Sequence, residues 1–325
     1  MICLGIESTA HTFGIGVMDD KGKILANVRD TYKPPEGWGM KPIDVAEHHK
    51  KVKESVLEKA LKEAKVTIDK IDVIAFSQGP GLPPCLRVGK DLAVDLAKKN
   101  SKPLVPVNHC IAHIEIGRLF SKAKDPVTLF VSGGNTQILS HVEGRYRCFG
   151  ETQDISVGNA LDKLGRELGI GFPAGPKIEE LAKKGQYMEL PYVVKGMDLS
   201  FSGLVTEAAK RFKQMERKED VCFSFQETAF AMLTEVTERA LAHVKKNEVI
   251  LTGGVAANRR FSKMLEIMCK ERGAKFYVCP IELSGDNGAM IAWLGLLMKK
   301  AGYTKKGDLD IEPRQRTDDV DVFWL

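Results

Sequence analysis

Two histidines four positions apart are the clearest candidates for chemistry in this 325-residue chain. His109 and His113 lie in the segment NHCIAHIEIGRL, which is predicted to be helical. Side chains four residues apart in a helix lie on the same face, so the two imidazoles could bind one metal ion. The same spacing also fits a half-buried helix that binds nothing. The spacing alone leaves both interpretations open.

Asp286 is the best candidate for a third metal ligand, because it lies in SGDNG at the start of a predicted helix. The alternative is that Ser284 or Asp286 caps that helix. A zinc protease would need H-E-x-x-H, in which the glutamate is the general base. Here Glu115 follows His113 by two residues and points to a different face. The sequence therefore argues against a protease.

Four turns rich in glycine or serine follow predicted strands and could bind phosphate through backbone N–H groups. They comprise residues 7–9, 79–81, 132–135 and 253–258. One such turn indicates little. The paired hairpins and a late T-G-G-V, however, resemble the phosphate-binding hairpins and adenosine turn of the actin, hexokinase and Hsp70 superfamily. The sequence has no G-x-x-x-x-G-K-[ST] motif, which argues against a P-loop NTPase.

The predicted elements occur in the same order twice. Each half begins with three strands joined by tight turns and continues with alternating helices and strands. We therefore predict an α/β protein with two actin/hexokinase/Hsp70-like domains, mixed sheets and an interdomain nucleotide cleft. The predicted division is 1–125, then 126–303 with a helical insert at about 155–245, then a polar C-terminal extension at 304–325.

The composition is that of an ordinary globular protein. Apolar residues make up 43% and charged residues 28%, and no apolar run is long enough to span a bilayer. We therefore expect a cytoplasmic protein without a membrane partner. The seven cysteines are scattered, so we expect them to be reduced.

The net charge of +5 permits a nucleic-acid partner without requiring one. Basic residues occur in five clusters, which are either solvated helix faces or parts of a patch for RNA phosphates. The clusters are 48–51, 145–147, 210–213, 259–260 and 305–306.

Nine motifs along the chain are jointly typical of one enzyme family. They are GIESTAHTFGIGV, SQGPGLPPCLRVG, NHCIAH, LFVSGGNTQI, NALDKLGRELG, FPAGPKIEELAKKG, LSFSGL, LTGGVAANRR and SGDNGAMIA. In this order they resemble the universal tRNA threonylcarbamoyladenosine transferase family. The resemblance is greatest to its archaeal and eukaryotic branch, the catalytic subunit of the KEOPS complex.

The resemblance implies a group transfer to tRNA. The threonylcarbamoyl group would move from L-threonylcarbamoyl-adenylate to the exocyclic amine of the adenosine 3′ of the anticodon, in tRNAs that read codons beginning with A, with release of AMP. One divalent metal per subunit is implied, with iron expected first and zinc or magnesium as alternatives. The implied nucleotide is the adenylate or ATP. The metal could act on the carbamoyl group as a Lewis acid.

The resemblance also implies partners. They are tRNA, a small kinase-like ATPase, a small dimerising subunit and a small regulatory subunit of the KEOPS complex. In some archaea the kinase-like partner is fused behind this kind of chain. We therefore expect either a separate protein or the transferase part of a fusion.

Matching the motifs assigns His109, His113 and Asp286 to the metal and no further catalytic residue. Asp162 and Glu179 would hold nucleoside hydroxyls. The full set of substrate or nucleotide positions is Phe130, Val131, Ser132, Gly133, Gly134, Asp162, Gly175, Glu179 and Asn258. Close relatives carry tyrosine at position 130, where it can ligate the metal. Phenylalanine cannot, so we expect one protein ligand fewer.

Two other functions remain open from the sequence. A small-molecule kinase of the same superfamily would use the hairpins and T-G-G-V, but its histidine pair would be idle. A non-catalytic adenine-nucleotide-binding subunit of an RNA-processing assembly would bind nucleotide whether or not a chelator is present. Loss of activity in a folded His109→Ala variant would argue against the kinase.

Overall fold

A computed structural model describes residues 1–34, 40–303 and 309–325. The chain forms two compact units. The first contains Met1–Leu119, Glu143–Tyr146 and Asp286–Leu325, and the second contains Phe120–Val142 and Arg147–Gly285. Each unit is built on a mixed five-stranded sheet with helices, which confirms the predicted fold class. The predicted segment boundaries themselves stay a prediction.

The helices and strands follow the predicted order closely. The strands are β1 (Ile2–Glu7), β2 (Thr12–Asp19), β3 (Ile24–Thr31), β4 (Val73–Gly79), β5 (Leu104–Asn108), β6 (Val127–Val131), β7 (Thr136–Val142), β8 (Arg145–Glu151), β9 (Val194–Lys195), β10 (Asp198–Leu199), β11 (Glu248–Thr252) and β12 (Lys275–Val278). The α-helices are α1 (Pro42–Ala64), α2 (Pro83–Lys99), α3 (His109–Ser121), α4 (Val157–Glu167), α5 (Gly175–Ala182), α6 (Ser202–Lys213), α7 (Lys218–Val244), α8 (Arg259–Glu271), α9 (Ile281–Ser284) and α10 (Gly288–Lys300).

The sheet of the first unit has the strand order β3-β2-β1-β4-β5. Strands β1 to β3 form an antiparallel meander, and β4 and β5 run parallel to β1. Successive side chains of a strand point to opposite faces. Leu4 and Ile6 of β1 therefore pack in one apolar core with α1 and α2, while Gly5 faces α10.

The second unit repeats this topology. The strand order of its sheet is β12-β11-β6-β7-β8. Strand β7 runs antiparallel to β6, whereas β11 and β12 run parallel to β6. Its core contains buried residues of α4 to α8, and α7 packs against α5, α6 and α8. The sequence predicted this repeated order of elements. Taken from its other edge, as β8-β7-β6-β11-β12, the strand order matches that of the first sheet position by position.

Two local predictions were wrong. The segment 275–282 was expected to be one strand, but β12 ends at Val278 and α9 begins after Pro280, whose fixed φ suits the start of a helix. Helix α7 was expected to begin near Glu227, but it starts at Lys218. The first turn of α7 lacks the apolar stripe by which a helix is recognised in a sequence. Its two acidic residues are nevertheless favourable at a helix N-terminus.

The described part of the predicted extension, residues 309–325, lies in the first unit and is hydrogen-bonded to it. The backbone N–H of Glu312 donates to the carbonyl of Gln78 (2.8 Å), and that of Gly81 donates to the carbonyl of Pro313 (3.2 Å). The Asn108 side chain donates to Gln315 (3.0 Å). This segment therefore packs where β4 and β5 end.

Candidate metal centre and substrate residues

Three predicted ligands come together in the first unit. His109 is the first residue of α3, His113 lies one turn later, and Asp286 lies two residues before α10. Oδ1 of Asp286 is 3.3 Å from Nε2 of His113 and 3.6 Å from Nε2 of His109. Among the described residues, these form the one His/Cys/Asp/Glu group of three whose ligand atoms all lie within 4.8 Å of one another.

Helix caps place these residues. The Asn108 side chain accepts a hydrogen bond from the backbone N–H of Ile111 (3.1 Å), which starts α3 directly at the end of β5. The Asn287 side chain accepts from the N–H of Met290 (3.0 Å) and so caps α10. The alternative interpretation, in which Ser284 or Asp286 caps this helix, is therefore wrong. Because Asn287 is the cap, the Asp286 carboxylate can face the histidines.

Glycines allow α10 to pack against the sheet with the two backbones in direct contact. A Cβ on Gly5 would lie 2.2 Å from the backbone nitrogen of Ala292, and one on Gly16 would lie 2.1 Å from that of Ala289. A Cβ on Gly288 would lie 2.0 Å from the backbone nitrogen of Gly16. Real Cβ atoms do not approach other atoms so closely, so these positions require glycine. The packing fixes the start of α10, and with it Asp286.

The three side chains perturb each other's pKa values. Burial would lower the pKa of His109, but the nearby carboxylates of Glu7 and Asp286 outweigh it and raise that pKa to about 9. Burial dominates at His113 and lowers its pKa. Burial would raise the pKa of Asp286, but the hydrogen bond to His113 and the charge of His109 keep it well below its usual range. Mutually perturbed groups of this kind are typical of functional sites.

The donor set fits a divalent transition metal. Ligand atoms about 2.1 Å from a metal lie about 3.0–3.4 Å from each other. The distances from Asp286 Oδ1 to His113 Nε2 (3.3 Å) and to His109 Nε2 (3.6 Å) are close to that range. Two histidines and one carboxylate, with coordination positions left for other groups, are typical of non-haem Fe(II) and of catalytic Zn(II) sites.

Sequence reasoning missed the role of Glu7 in this site. It ends β1, is fully buried, and places Oε2 at 3.0 Å from Nδ1 of His109. The other two residues of the predicted phosphate turn at 7–9, Ser8 and Thr9, are also buried. The topology offered a signal, because the C-terminal ends of β1 and β5 lie at the same edge of the sheet, with β4 between them.

The Ser132–Asn135 turn between β6 and β7 lies in the second unit. The Ser132 hydroxyl accepts hydrogen bonds from the backbone N–H groups of Gly134 (3.3 Å) and Asn135 (3.0 Å). Gly133 and Gly134 are exposed, and a Cβ on either would meet nothing within 4 Å. Helix α4 begins directly beside this turn, since a Cβ on Gly158 would lie 2.4 Å from the Ser132 carbonyl oxygen. The open backbone is accessible to a ligand.

The two carboxylates predicted to hold hydroxyls are half-buried in the same unit. Asp162 of α4 accepts a hydrogen bond from the backbone N–H of Ala174 (2.8 Å), just before Gly175. Glu179 of α5 accepts from the N–H of Arg259 (2.8 Å), which begins α8. Each carboxylate thus fixes a neighbouring helix start. Their contact with a substrate stays a prediction.

Other predicted substrate residues have structural partners. The Asn258 side chain accepts a hydrogen bond from the N–H of Phe261 (3.0 Å) and donates to Gln226 (3.0 Å), so it caps α8. Phe130 and Val131 lie in β6 with fully buried side chains. Phe130 pairs with Gln137 on one side. Substrate contacts of these three residues also stay predictions.

The sequence model of the family described as tRNA N6-adenosine threonylcarbamoyltransferase matches residues 23–293. A protein of that name from Thermococcus gammatolerans is 58% identical to this chain over the whole length of both. One from Archaeoglobus fulgidus is also 58% identical, again over the whole of both chains. The chain belongs to the tRNA N6-adenosine threonylcarbamoyltransferase family. This confirms the predicted family and enzyme class.

Longer proteins are also similar to this chain. The chain is 53% identical to a protein of Methanobrevibacter smithii named as a probable bifunctional tRNA threonylcarbamoyladenosine biosynthesis protein. That match covers 100% of this chain and 60% of the relative.

Solved structures from outside the threonylcarbamoyltransferase family share its fold. Full-length HypF, in a phosphate- and nucleotide-bound form, has a TM-score of 0.62 at 13% identity, over 93% of this chain and 47% of HypF. The (R)-2-hydroxyglutaryl-CoA dehydratase component A of Acidaminococcus fermentans has a TM-score of 0.57 at 13% identity, over 93% and 100% of the chains. At these identities the likeness concerns the fold alone, and it confirms the predicted fold class.

Glu115 serves a structural role in this threonylcarbamoyltransferase. It is buried and forms an ion pair with Arg118 (3.1 Å). It also accepts hydrogen bonds from the Tyr146 hydroxyl (2.7 Å) and from Nε1 of Trp324 (3.0 Å). This agrees with the inference that it is not the base of a protease.

The basic clusters are partly neutralised by neighbouring acids. Each of the four clusters within the described residues contains an ion pair: Lys50 with Glu47, Arg145 with Asp321, Arg211 with Glu207, and Arg260 with Glu227. The fifth cluster, Lys305–Lys306, lies outside the described residues. A patch for tRNA phosphates therefore stays a prediction.

The remaining sequence predictions concern cysteines and membranes. All seven cysteines are free, as expected. Among the described residues, no helix combines the length and apolar character that a membrane crossing needs.

Proposed function

We propose that this transferase moves the threonylcarbamoyl group of L-threonylcarbamoyl-adenylate to N6 of the adenosine 3′ of the anticodon, in tRNAs that read codons beginning with A. The amine nitrogen bonds to the carbamoyl carbon, and the bond from that carbon to the phosphate oxygen breaks. The amine loses one proton, and AMP leaves with the electron pair of the broken bond. Family membership and the His109–His113–Asp286 group together carry this proposal.

In the first unit, the two histidines and Asp286 would hold one divalent metal, with iron as our first choice. The metal, when bound, supplies a Lewis acid that polarises the carbamoyl oxygen. The protein's own contribution is preorganisation. Caps at Asn108 and Asn287 and the glycine contacts of α10 set the donor atoms before substrate arrives. An aromatic amine is a poor nucleophile, so the reaction requires activation of the carbamoyl carbon.

In the second unit, the Ser132–Asn135 turn would bind the adenylate phosphate at the exposed backbone of Gly133 and Gly134, where no side chain blocks close approach. Asp162 and Glu179 would accept hydrogen bonds from nucleoside hydroxyls. Gly175 would allow close approach, because a Cβ there would meet only the Leu161 side chain at 3.8 Å. Binding energy at these groups, remote from the reacting carbon, would orient the adenylate.

The proposed partners are tRNA and the subunits of the KEOPS complex. The bifunctional relatives support a partner that carries a second activity. We propose that this partner is the kinase-like ATPase. Dimerising and regulatory small subunits complete the proposed set. The acceptor adenosine must leave its stack in the anticodon loop to react.

The test is a transfer assay. The purified protein, its partner subunits, L-threonylcarbamoyl-adenylate and tRNA are incubated, and the digested tRNA is analysed for threonylcarbamoyladenosine. We expect modified nucleoside with the wild-type protein and at least about 100-fold less with His109→Ala, as for a lost Lewis acid. Absence of product with the complete partner set would exclude the transferase and favour a non-catalytic nucleotide-binding subunit. Phosphoryl transfer to a small molecule that survives His109→Ala would favour a kinase.

A further inference from the structure

We propose that Glu7 is a positioning residue that determines which nitrogen of His109 faces the metal. This inference rests on the metal assignment proposed above. Glu7 is 0% exposed, and its Oε2 lies 3.0 Å from Nδ1 of His109. The other ring nitrogen, Nε2, lies 3.6 Å from Oδ1 of Asp286. The two nitrogens of one ring thus face different partners.

The second carboxylate oxygen of Glu7 has its own partners. Oε1 accepts hydrogen bonds from the backbone N–H of Thr9 (2.7 Å) and from the Thr9 hydroxyl (2.5 Å). A backbone N–H can only donate, so this position needs an acceptor. An ionised carboxylate accepts at both oxygens, so Nδ1 of His109 donates its hydrogen to Oε2. In a neutral imidazole the lone pair then lies on Nε2, where a metal ligand needs it.

Glu7→Gln tests this with almost no change of volume. The Thr9 N–H needs the amide oxygen, so the amide NH2 must face Nδ1 of His109. Because NH2 can only donate, the substitution favours an Nδ1 that accepts, with the ring hydrogen on Nε2; the Thr9 hydroxyl, 3.3 Å from Nδ1, is the other group in reach of this nitrogen. A hydrogen on Nε2 blocks the lone pair that binds the metal. The substitution would therefore select the wrong tautomer, as replacing a histidine-orienting carboxylate by its amide does in other enzymes.

The experiment is a titration of metal-free full-length protein with Co²⁺ against a competing chelator, followed by the visible absorption of the bound ion. We expect Glu7→Gln to bind Co²⁺ about 10–100-fold more weakly than wild type. Glu248→Gln is the matched control. Glu248 is 8% exposed and likewise accepts backbone N–H groups, those of Lys124 (2.8 Å) and Asp125 (3.0 Å), but it lies in the second unit. Its variant should bind Co²⁺ like wild type.

Wild-type affinity in Glu7→Gln, or an equal loss in Glu248→Gln, would overturn the inference. His109→Ala separates it from the metal assignment. If that variant still binds Co²⁺ at full affinity, the metal assignment fails and the role of Glu7 fails with it. If His109→Ala loses Co²⁺ while Glu7→Gln keeps it, the role of Glu7 alone is refuted.

A second measurement needs no substitution at Glu7, so it applies even if Glu7→Gln does not fold. In Zn²⁺-loaded wild-type protein, ¹⁵N NMR of the histidine rings reports which nitrogen carries hydrogen. We expect Nδ1 of His109 to be protonated and Nε2 to be metal-bound. The opposite assignment would overturn the inference.

Discussion

Nε2 of His113 lies 3.3 Å from Oδ1 of Asp286, although 173 positions separate the two residues in the chain. The proximity results from local features of each partner. Asn108 caps the helix that carries the histidine, and Asn287 caps the helix that follows the aspartate. Close glycine contacts then hold that second helix on the sheet. Each of these features can be tested separately.

Gly16→Ala should destabilise the protein and displace Asp286. Its Cβ would lie 2.1 Å from the backbone nitrogen of Ala289, and backbone cannot move away as a flexible side chain could. We expect a loss of about 2–3 kcal/mol in the free energy of unfolding, measured by urea denaturation, and weaker metal binding. Gly203→Ala is the control, because nothing lies within 4 Å of a Cβ there. That variant should be neutral or stabilised by up to about 1 kcal/mol. Equal stability of both variants would contradict the packing argument.

His49 should make the protein less stable as the pH falls from about 6.5 to 4. Burial lowers the pKa of His49 from 6.5 to about 4, and its Nε2 lies 2.8 Å from the Ala10 carbonyl oxygen. The unfolded chain therefore takes up this proton at a higher pH than the folded protein does. The stabilisation that results from the lowered pKa of His49 is complete above pH 6.5 and is lost progressively down to pH 4. It amounts to about 2–3 kcal/mol of the free energy of unfolding.

Urea unfolding at several pH values between 7 and 4 measures this effect. His49→Gln keeps a donor for the Ala10 carbonyl and removes the titrating group, so its stability should depend less on pH. His48→Gln, which replaces the adjacent histidine, should keep most of the dependence. An unchanged pH profile in His49→Gln would show that other groups cause the acid sensitivity.

Trp324→Phe should cost about 1–2 kcal/mol of stability, because it removes the Nε1 donor to a buried carboxylate. That bond, to Oε1 of Glu115, is 3.0 Å long. A double-mutant cycle with Glu115→Gln checks the cause. If the bond carries the effect, Trp324→Phe should cost less in the Glu115→Gln background. The same cost in both backgrounds would mean that packing alone is lost.

Much of the fold was predictable because its elements carry strong local patterns. Apolar strands such as β1 and β4, bounded by turns, gave both the element order and its repetition. The β9–β10 hairpin was missed, since strands of two residues, Val194–Lys195 and Asp198–Leu199, have no detectable period. The length of α7 was underestimated, because its first turn is recognised by charge rather than by an apolar stripe.

The site was predictable only in part. The i, i+4 spacing of His109 and His113 is visible in the sequence, and the place of Asp286 in SGDNG, before a predicted helix, made it the candidate third ligand. The cap of α10 was not identified, because Ser284, Asp286 and Asn287 are all good cap residues and sequence does not choose among them. Glu7 was missed as a partner of His109 because one acid at the end of an apolar strand has no spacing signal. Only the parallel arrangement of β1, β4 and β5 brings it close.

The most direct test of the metal centre is the metal content of the protein purified from its native host, with His109→Ala and Asp286→Ala prepared in parallel. We expect about one equivalent of a divalent transition metal in wild type and less than about one tenth in each folded variant, since each loses one of three protein ligands. Circular dichroism and thermal unfolding confirm that the variants are folded. Full metal occupancy in both variants would contradict the account.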